Sequence, residues 1–149
     1  MAHQTLAKLA SIISRGSNRF FDQALFPYDI GCGQQFFLSQ IAEHEGISMY
    51  DLAKLGRFDK ATVTRAIQKL VEVGYITCVI DESDRRIHRL YTTQAAAQLL
   101  AYLRERSGAW ERILTASLTQ AEIDTVRALM EKVARNASAH QKEGETANG

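Results

Sequence analysis

The spacing of apolar positions along the chain changes period twice, and those changes outline a fold. Leu6, Leu9, Ile13, Phe20 and Leu25 recur at helical spacing, so residues from about Gln4 to Leu25 read as one long helix. Pro27 cannot continue it, and 27–33 reads as a loop. A second helix over 34–45 turns Phe37, Ile41 and His44 inward, with Gly46 just past its end. Ser48 stands as an N-cap with Asp51 three residues on, opening a short helix that Gly56 closes. Asp59 caps the next helix, which runs from Lys60 to about Val73 before Gly74 ends it. The period then drops to two: Ile76, Cys78 and Ile80 share one face of a strand, 83–86 is a polar turn, and 87–93 is the returning arm of a hairpin. Helical spacing resumes with Leu99, Leu100, Leu103, Trp110, Ile113 and Leu114. Thr119 and Glu122 form a capping box ahead of Ile123, Val126, Leu129, Met130 and Val133. The last stretch, 141–149, is polar, without apolar periodicity, and is expected to be a disordered tail.

This order predicts a mostly α fold with a small β-hairpin wing: a winged helix-turn-helix carried between long terminal helices. A single domain over 1–140 would divide into a head, 28–93, and terminal helices, 1–27 and 94–140. The terminal helices carry more apolar surface than so small a core can cover, so their stripes are expected to dimerise the chain with a second copy.

The helix over 60–73 is amphipathic in an informative way. Val63, Ala66, Ile67, Leu70 and Val71 fall on one face at ~100° per residue. The opposite face centres on Ala61, Arg65 and Gln68, with Thr62 and Lys69 beside it and Lys60 and Thr64 near the start. Arg65 can fork onto guanine and Gln68 can pair with adenine, while the helix N-terminus and threonine hydroxyls suit phosphate oxygens. A solvated surface helix has the same pattern. Two neighbours favour nucleic acid: the preceding helix and tight turn have helix-turn-helix spacing, and the hairpin tip concentrates Arg85 and Arg86, with Arg89 on the returning strand. Arginines on such a loop suit a minor groove. The alternative reading is a winged helix that serves as a protein–protein interaction module without DNA binding, its arginine loop meeting an acidic partner.

Composition narrows the classes. The 149 residues are 46% apolar and 23% charged with a net charge of +1, so any nucleic-acid contact must come from a local cluster. No apolar run approaches the roughly 20 residues that span a bilayer, and no signal peptide opens the chain, which makes a cytoplasmic location the expectation. Cys32 and Cys78 match no disulfide framework or zinc spacing. His3, His44, His88 and His140 are scattered without partners at metal or catalytic spacing, so no catalytic residue, metal or cofactor is expected and an enzyme is excluded.

The segment Asp51–Ile76 followed by Asp81–Thr93 resembles the MarR family of bacterial transcriptional regulators. Thr62 to Arg65, Leu70, Gly74 and Ile76 match its helix pattern, and Asp84, Arg86 and Thr93 match its wing signature. The resemblance implies a homodimer that binds an inverted-repeat operator in double-stranded DNA and is a repressor relieved by a ligand. It implies the Lys60–Val73 helix in a major groove, the Arg85–Arg86 loop in a minor groove, Asp84 as a brace for Arg86, and Ser48 as a phosphate contact. It also implies a pocket for a small aromatic or phenolic effector, for which Arg15, Arg19, Phe20, Phe36 and Phe37 are the candidates. Some members sense oxidants through a cysteine; Cys32, just before a helix where the dipole would lower its pKa, is the candidate here. Two departures stand out: Thr92 replaces a usual leucine, and Thr77 and Cys78 replace a common basic residue.

Overall fold

The structure is a computed structural model that describes residues 2–147. Helix α1 (Leu6–Leu25) opens on Thr5, whose hydroxyl oxygen accepts from the Lys8 N–H at 3.1 Å. A 3-10 turn at Phe26–Tyr28 leads into α2 (Cys32–Glu43), then strand β1 (Ile47–Ser48), α3 (Met49–Gly56) and α4 (Lys60–Glu72). The hairpin is β2 (Ile76–Ile80) and β3 (His88–Thr92), followed by α5 (Ala96–Leu114) and α6 (Gln120–Ala147). The three strands form one antiparallel sheet in the order β1-β3-β2. Among the described residues, no helix is long and apolar enough to cross a membrane.

The chain divides into two compact units, Met1–Trp110 and Glu111–Gly149. In the first, Leu25, Phe37, Leu38, Ile41, Leu52, Leu70, Ile76, Leu90 and Leu99 are buried, drawing one core from five helices and the base of the sheet. The buried side chains among the described residues are all apolar. The second unit is α6 with the end of α5. Thr119 and Glu122 cap α6 reciprocally at 3.2 Å, and Arg127 bonds Glu111 at 2.9 Å.

Apolar rows stay bare. On α1, Leu6, Leu9, Ile12 and Ile13 are exposed while Phe21 and Leu25 are buried, so only its C-terminal half joins the core. On α6, Val126, Leu129, Met130 and Val133 are exposed.

Several sequence expectations are corrected. Helix α2 starts at Cys32, inside the expected loop, because the Asp22 carboxylate on α1 accepts the Cys32 N–H at 2.7 Å and the Gln34 side chain accepts the Gly31 N–H at 2.8 Å. His44 is exposed at the end of α2 rather than inward. Strand β1 was not anticipated; two residues, paired Ile47 to Leu90 and Ser48 to Arg89, are too few to show a period. In β2 only Ile76 is buried, because the hairpin leaves the core after its first residue; Cys78 and Ile80 are exposed. Val71 also lies exposed at the edge of α4. The final helix continues to Ala147, over most of the stretch expected to be a disordered tail, and 148–149 lie outside the described residues.

Thr92 takes a polar role instead of a leucine's apolar one: its N–H and hydroxyl both donate to the Glu45 carboxylate. Gly46, next to that carboxylate, has φ +87 and donates its N–H to the Leu90 carbonyl at 2.8 Å. A Cβ there would lie 3.3 Å from the Tyr91 hydroxyl. Gly46→Ala is therefore expected to lower stability by about 1–3 kcal/mol, chiefly through backbone strain. Urea unfolding checks this, and an unchanged midpoint would contradict it.

Candidate nucleic-acid interface

Three local features set the angle between α3 and α4. Arg57 takes a left-handed conformation, φ 54, immediately after α3. Gly56 leaves room for Phe58: a Cβ at Gly56 would lie 2.3 Å from the Phe58 ring and 2.8 Å from Phe36. Phe58 then packs on Phe37 at 4.9 Å and Phe36 at 5.4 Å between ring centroids, tying the turn to α2. Gly56 is thus required for close approach, since the left-handed residue is Arg57.

Helix α4 buries Val63, Ala66, Ile67 and Leu70 and leaves Lys60, Ala61, Arg65, Gln68 and Lys69 exposed, with Thr62 and Thr64 half-buried. Its N-terminus is already occupied. The Asp59 carboxylate accepts the Thr62 N–H at 2.7 Å and the Thr62 hydroxyl at 3.0 Å. These bonds, the N–H first, hold the Asp59 carboxyl below the usual carboxylate range. The Thr64 hydroxyl donates to the Lys60 carbonyl at 2.8 Å. Both threonine protons therefore have intramolecular acceptors, and Thr62 Oγ1 in turn accepts Arg65 Nη2 at 3.5 Å. Ser48 is the opposite case. Its oxygen accepts the Asp51 N–H at 3.1 Å as the cap of α3, leaving its own proton available to an acceptor.

The hairpin tip is organised by carboxylates. Arg86 donates Nε and Nη2 to Asp84 at 3.0 and 2.9 Å, a bidentate pair, and its N–H adds a bond at 3.1 Å. The Arg86 side chain is nonetheless 90% exposed, and Arg85 is exposed beside it. The Arg86 guanidinium, then its N–H, holds the Asp84 carboxyl low, and Asp84 in turn raises Arg86. Arg89 is not a free cation: Nε donates to Asp81 at 2.6 Å and Nη1 to the Gly46 carbonyl at 3.0 Å. Asp81, a carboxylate just before a turn and followed by serine, carries a recognisable turn-capping signal.

The residues expected to line a pocket separate into two aromatic groups. Phe20 stacks on Trp110 at 5.0 Å and meets Phe21 edge-on, whereas Phe36 and Phe37 join Phe58. Arg15 and Arg19 are exposed on α1. A cleft of about 460 Å³ lies elsewhere, lined by Met49, Thr64, Ile67, Gln68, Val71, Glu72, Cys78 and His88. Cys32 is half-buried, and its thiol is raised, not lowered. Burial is the main cause, the hydrogen bond and charge of Asp22 add to it, and the N–H groups of Cys32 and Gly33 do not offset them. Cys78 is raised by burial too. No group of three or more His, Cys, Asp or Glu side chains among the described residues is arranged to hold a metal ion.

Comparison with known proteins agrees with this geometry. Residues 33–88 match the MarR family. The HTH-type transcriptional regulator YybA of Bacillus subtilis, itself uncharacterized, is 31% identical over 108 residues, 72% of each chain. A MarR protein from Peptoclostridium difficile has the same fold with a TM-score of 0.88 at 29% identity over 94% of each chain. A Listeria monocytogenes protein, described as a putative MarR family transcriptional regulator and solved with a 26mer DNA, gives a TM-score of 0.83 at 22% identity. The match covers 90% of this chain and 89% of that one, a likeness of fold.

The Asp59 cap yields a pH test. A carboxyl held low in the folded state stabilises above its ordinary range, and that stabilisation is lost as pH falls through its folded value. Asp59→Ala should lower the thermal midpoint at pH 7, with the gap to the parent protein closing as pH drops below the ordinary carboxylate range. A gap that does not vary with pH would assign Asp59 no capping role.

Proposed function

The chain belongs to the MarR family of winged-helix transcriptional regulators, and on that premise we propose that it binds an inverted-repeat operator in duplex DNA as a homodimer. It is a regulator and not an enzyme. The observation that carries the proposal is the pairing of two exposed donor sets: the outer face of α4, with Arg65 and Gln68, and the wing-tip guanidinium of Arg86, already oriented by Asp84.

In this reading α4 lies in the major groove, where Arg65 forks onto a guanine and Gln68 pairs with an adenine. Lys60, Lys69 and Ser48 meet phosphates. Ser48 is suited to this because its proton is uncommitted. Thr62 and Thr64 shape the N-terminal end of the reading face and contribute acceptors. Arg86 enters the flanking minor groove, and Arg85 serves the phosphates beside it.

Dimerisation follows from the uncovered rows Leu6, Leu9, Ile12, Ile13 and Val126, Leu129, Met130, Val133, which water contacts in the isolated chain. We further read the protein as a repressor released by a small aromatic effector. This part rests on the family, since Phe20 and Phe36 stand in separate aromatic groups and Arg15 and Arg19 are exposed on α1.

Three measurements test the reading. Light scattering should give twice the chain mass, and a monomer at micromolar concentration would remove the dimer. Selection from random duplexes should recover half-sites about one helical turn apart. On the selected operator, Arg65→Ala should cost about 1–3 kcal/mol and relax one base position per half-site, while Arg86→Ala should reduce the salt slope by about one phosphate equivalent. Uniform weakening on all sequences by the Arg65 variant would make Arg65 a phosphate contact. An unchanged slope for the Arg86 variant would remove the wing from the interface.

A further inference from the structure

An unbroken series of hydrogen bonds joins the body of the head to the wing tip. The Gly46 carbonyl, in the turn between α2 and β1, accepts Arg89 Nη1 at 3.0 Å. Arg89 Nε donates to Asp81 Oδ2 at 2.6 Å. Asp81 Oδ1 accepts the Ser83 N–H at 2.8 Å, the Ser83 hydroxyl at 2.6 Å and the Asp84 N–H at 3.1 Å. The Asp84 carboxylate then holds Arg86. The series starts at a backbone position fixed by its own bond to Leu90 and ends at the exposed guanidinium of Arg86 at the tip.

We infer that Arg89 and Asp81 are positioning residues for DNA binding: they fix the wing so that Arg86 reaches DNA in one orientation, and neither touches DNA. The inference rests on the wing contact proposed above. Its physical basis is that no side chain of β2 is buried beyond Ile76, and that outward of the Ser48–Arg89 pair the sheet continues as two strands only, an arrangement that is marginal in water on its own. Without a second anchor it would hinge at the edge of the core, and binding would have to order it. Arg89 and Asp81 supply that anchor through a short ion pair whose carboxylate side chain is only 14% exposed. Charge counting assigns the opposite roles, with Arg89 attracting DNA and Asp81 repelling it.

The test uses the full chain carrying Arg89→Met, Asp81→Asn, Arg86→Ala, and Arg89→Met combined with Arg86→Ala. Asp81→Asn keeps the Oδ1 acceptor for the turn and replaces only the atom facing Arg89, so it cuts the ion pair with least disturbance. In the protein without DNA, amide exchange at Asp84 and Ile87 should quicken about fivefold or more in the Arg89 and Asp81 variants, with core amides unchanged. Operator affinity should fall about tenfold in each of those variants, yet Arg89→Met should cost less than about twofold when Arg86 is already alanine, because the strut acts through Arg86. Unchanged exchange, full additivity of the two arginine substitutions, or tighter binding by Asp81→Asn would each overturn the inference. If exchange quickens as expected but Arg86→Ala binds the operator normally, the proposed groove contact of the wing falls and the inferred role in DNA binding falls with it, leaving only a mechanical anchor.

Discussion

The burial of one side of α4 is the constraint on which the rest of the head depends. Val63, Ile67 and Leu70 are at most 4% exposed and belong to one cluster with Phe37, Leu38 and Ile41 of α2. Each such side chain stabilises by about 1.5–3 kcal/mol on burial. The exposed hydrogen bonds on the opposite side, Thr64 to the Lys60 carbonyl and Arg65 to Thr62, cannot compete with that sum. The orientation of α4 is therefore fixed from below, and its outward residues are released from any structural duty. Arg65, Gln68 and Lys69 are free for recognition because leucine, isoleucine and valine hold the helix.

At the wing the balance is reversed. Few apolar side chains are buried beyond Ile76, so shape is kept by polar groups: Asp81 caps the turn, Asp84 grips Arg86, Glu45 holds Thr92, and Arg89 reaches back to Gly46. With a net charge of only +1, the chain has no broad positive field. At the wing, Arg86 and Arg89 are individually aimed, and Asp84 and Asp81 beside them do the aiming. An acidic residue near a presumed phosphate site reads as unfavourable by charge alone; here its hydrogen-bond geometry outweighs that simple view.

How much of this was legible in the sequence depended on the kind of signal. Helix ends written by local chemistry could be read: Asp59 before α4, Ser48 before α3, and the Thr119–Glu122 box before α6 all cap as their spacing implies. The wing arginine pair Asp84–Arg86, two residues apart, was equally local. Contacts between distant positions were not legible. The start of α2 moved because Asp22, ten residues away, caps it. Arg89 changed from a free cation to a strut because Gly46 lies 43 residues away in sequence but within hydrogen-bond reach. Period alone put Cys78 and Ile80 inside, but the hairpin had already left the core. The aromatic residues assigned to a pocket were read by type, and type does not separate a ligand site from packing such as Phe20 on Trp110.

The Asp59 cap has a consequence for affinity rather than for discrimination among sequences. On the proposed reading, the N-terminus of α4 approaches the duplex carrying a carboxylate that cannot leave without uncapping the helix. That repulsion is the same on every stretch of DNA, cognate or not, so it subtracts equally from all encounters. Only the bases that satisfy Arg65 and Gln68 restore the loss. A chromosome offers about 10⁶–10⁹ competing sites, and a uniform penalty lowers the time a regulator spends on all of them together. The acid that makes the helix stable thus lowers affinity for every site alike and leaves the choice among them to Arg65 and Gln68.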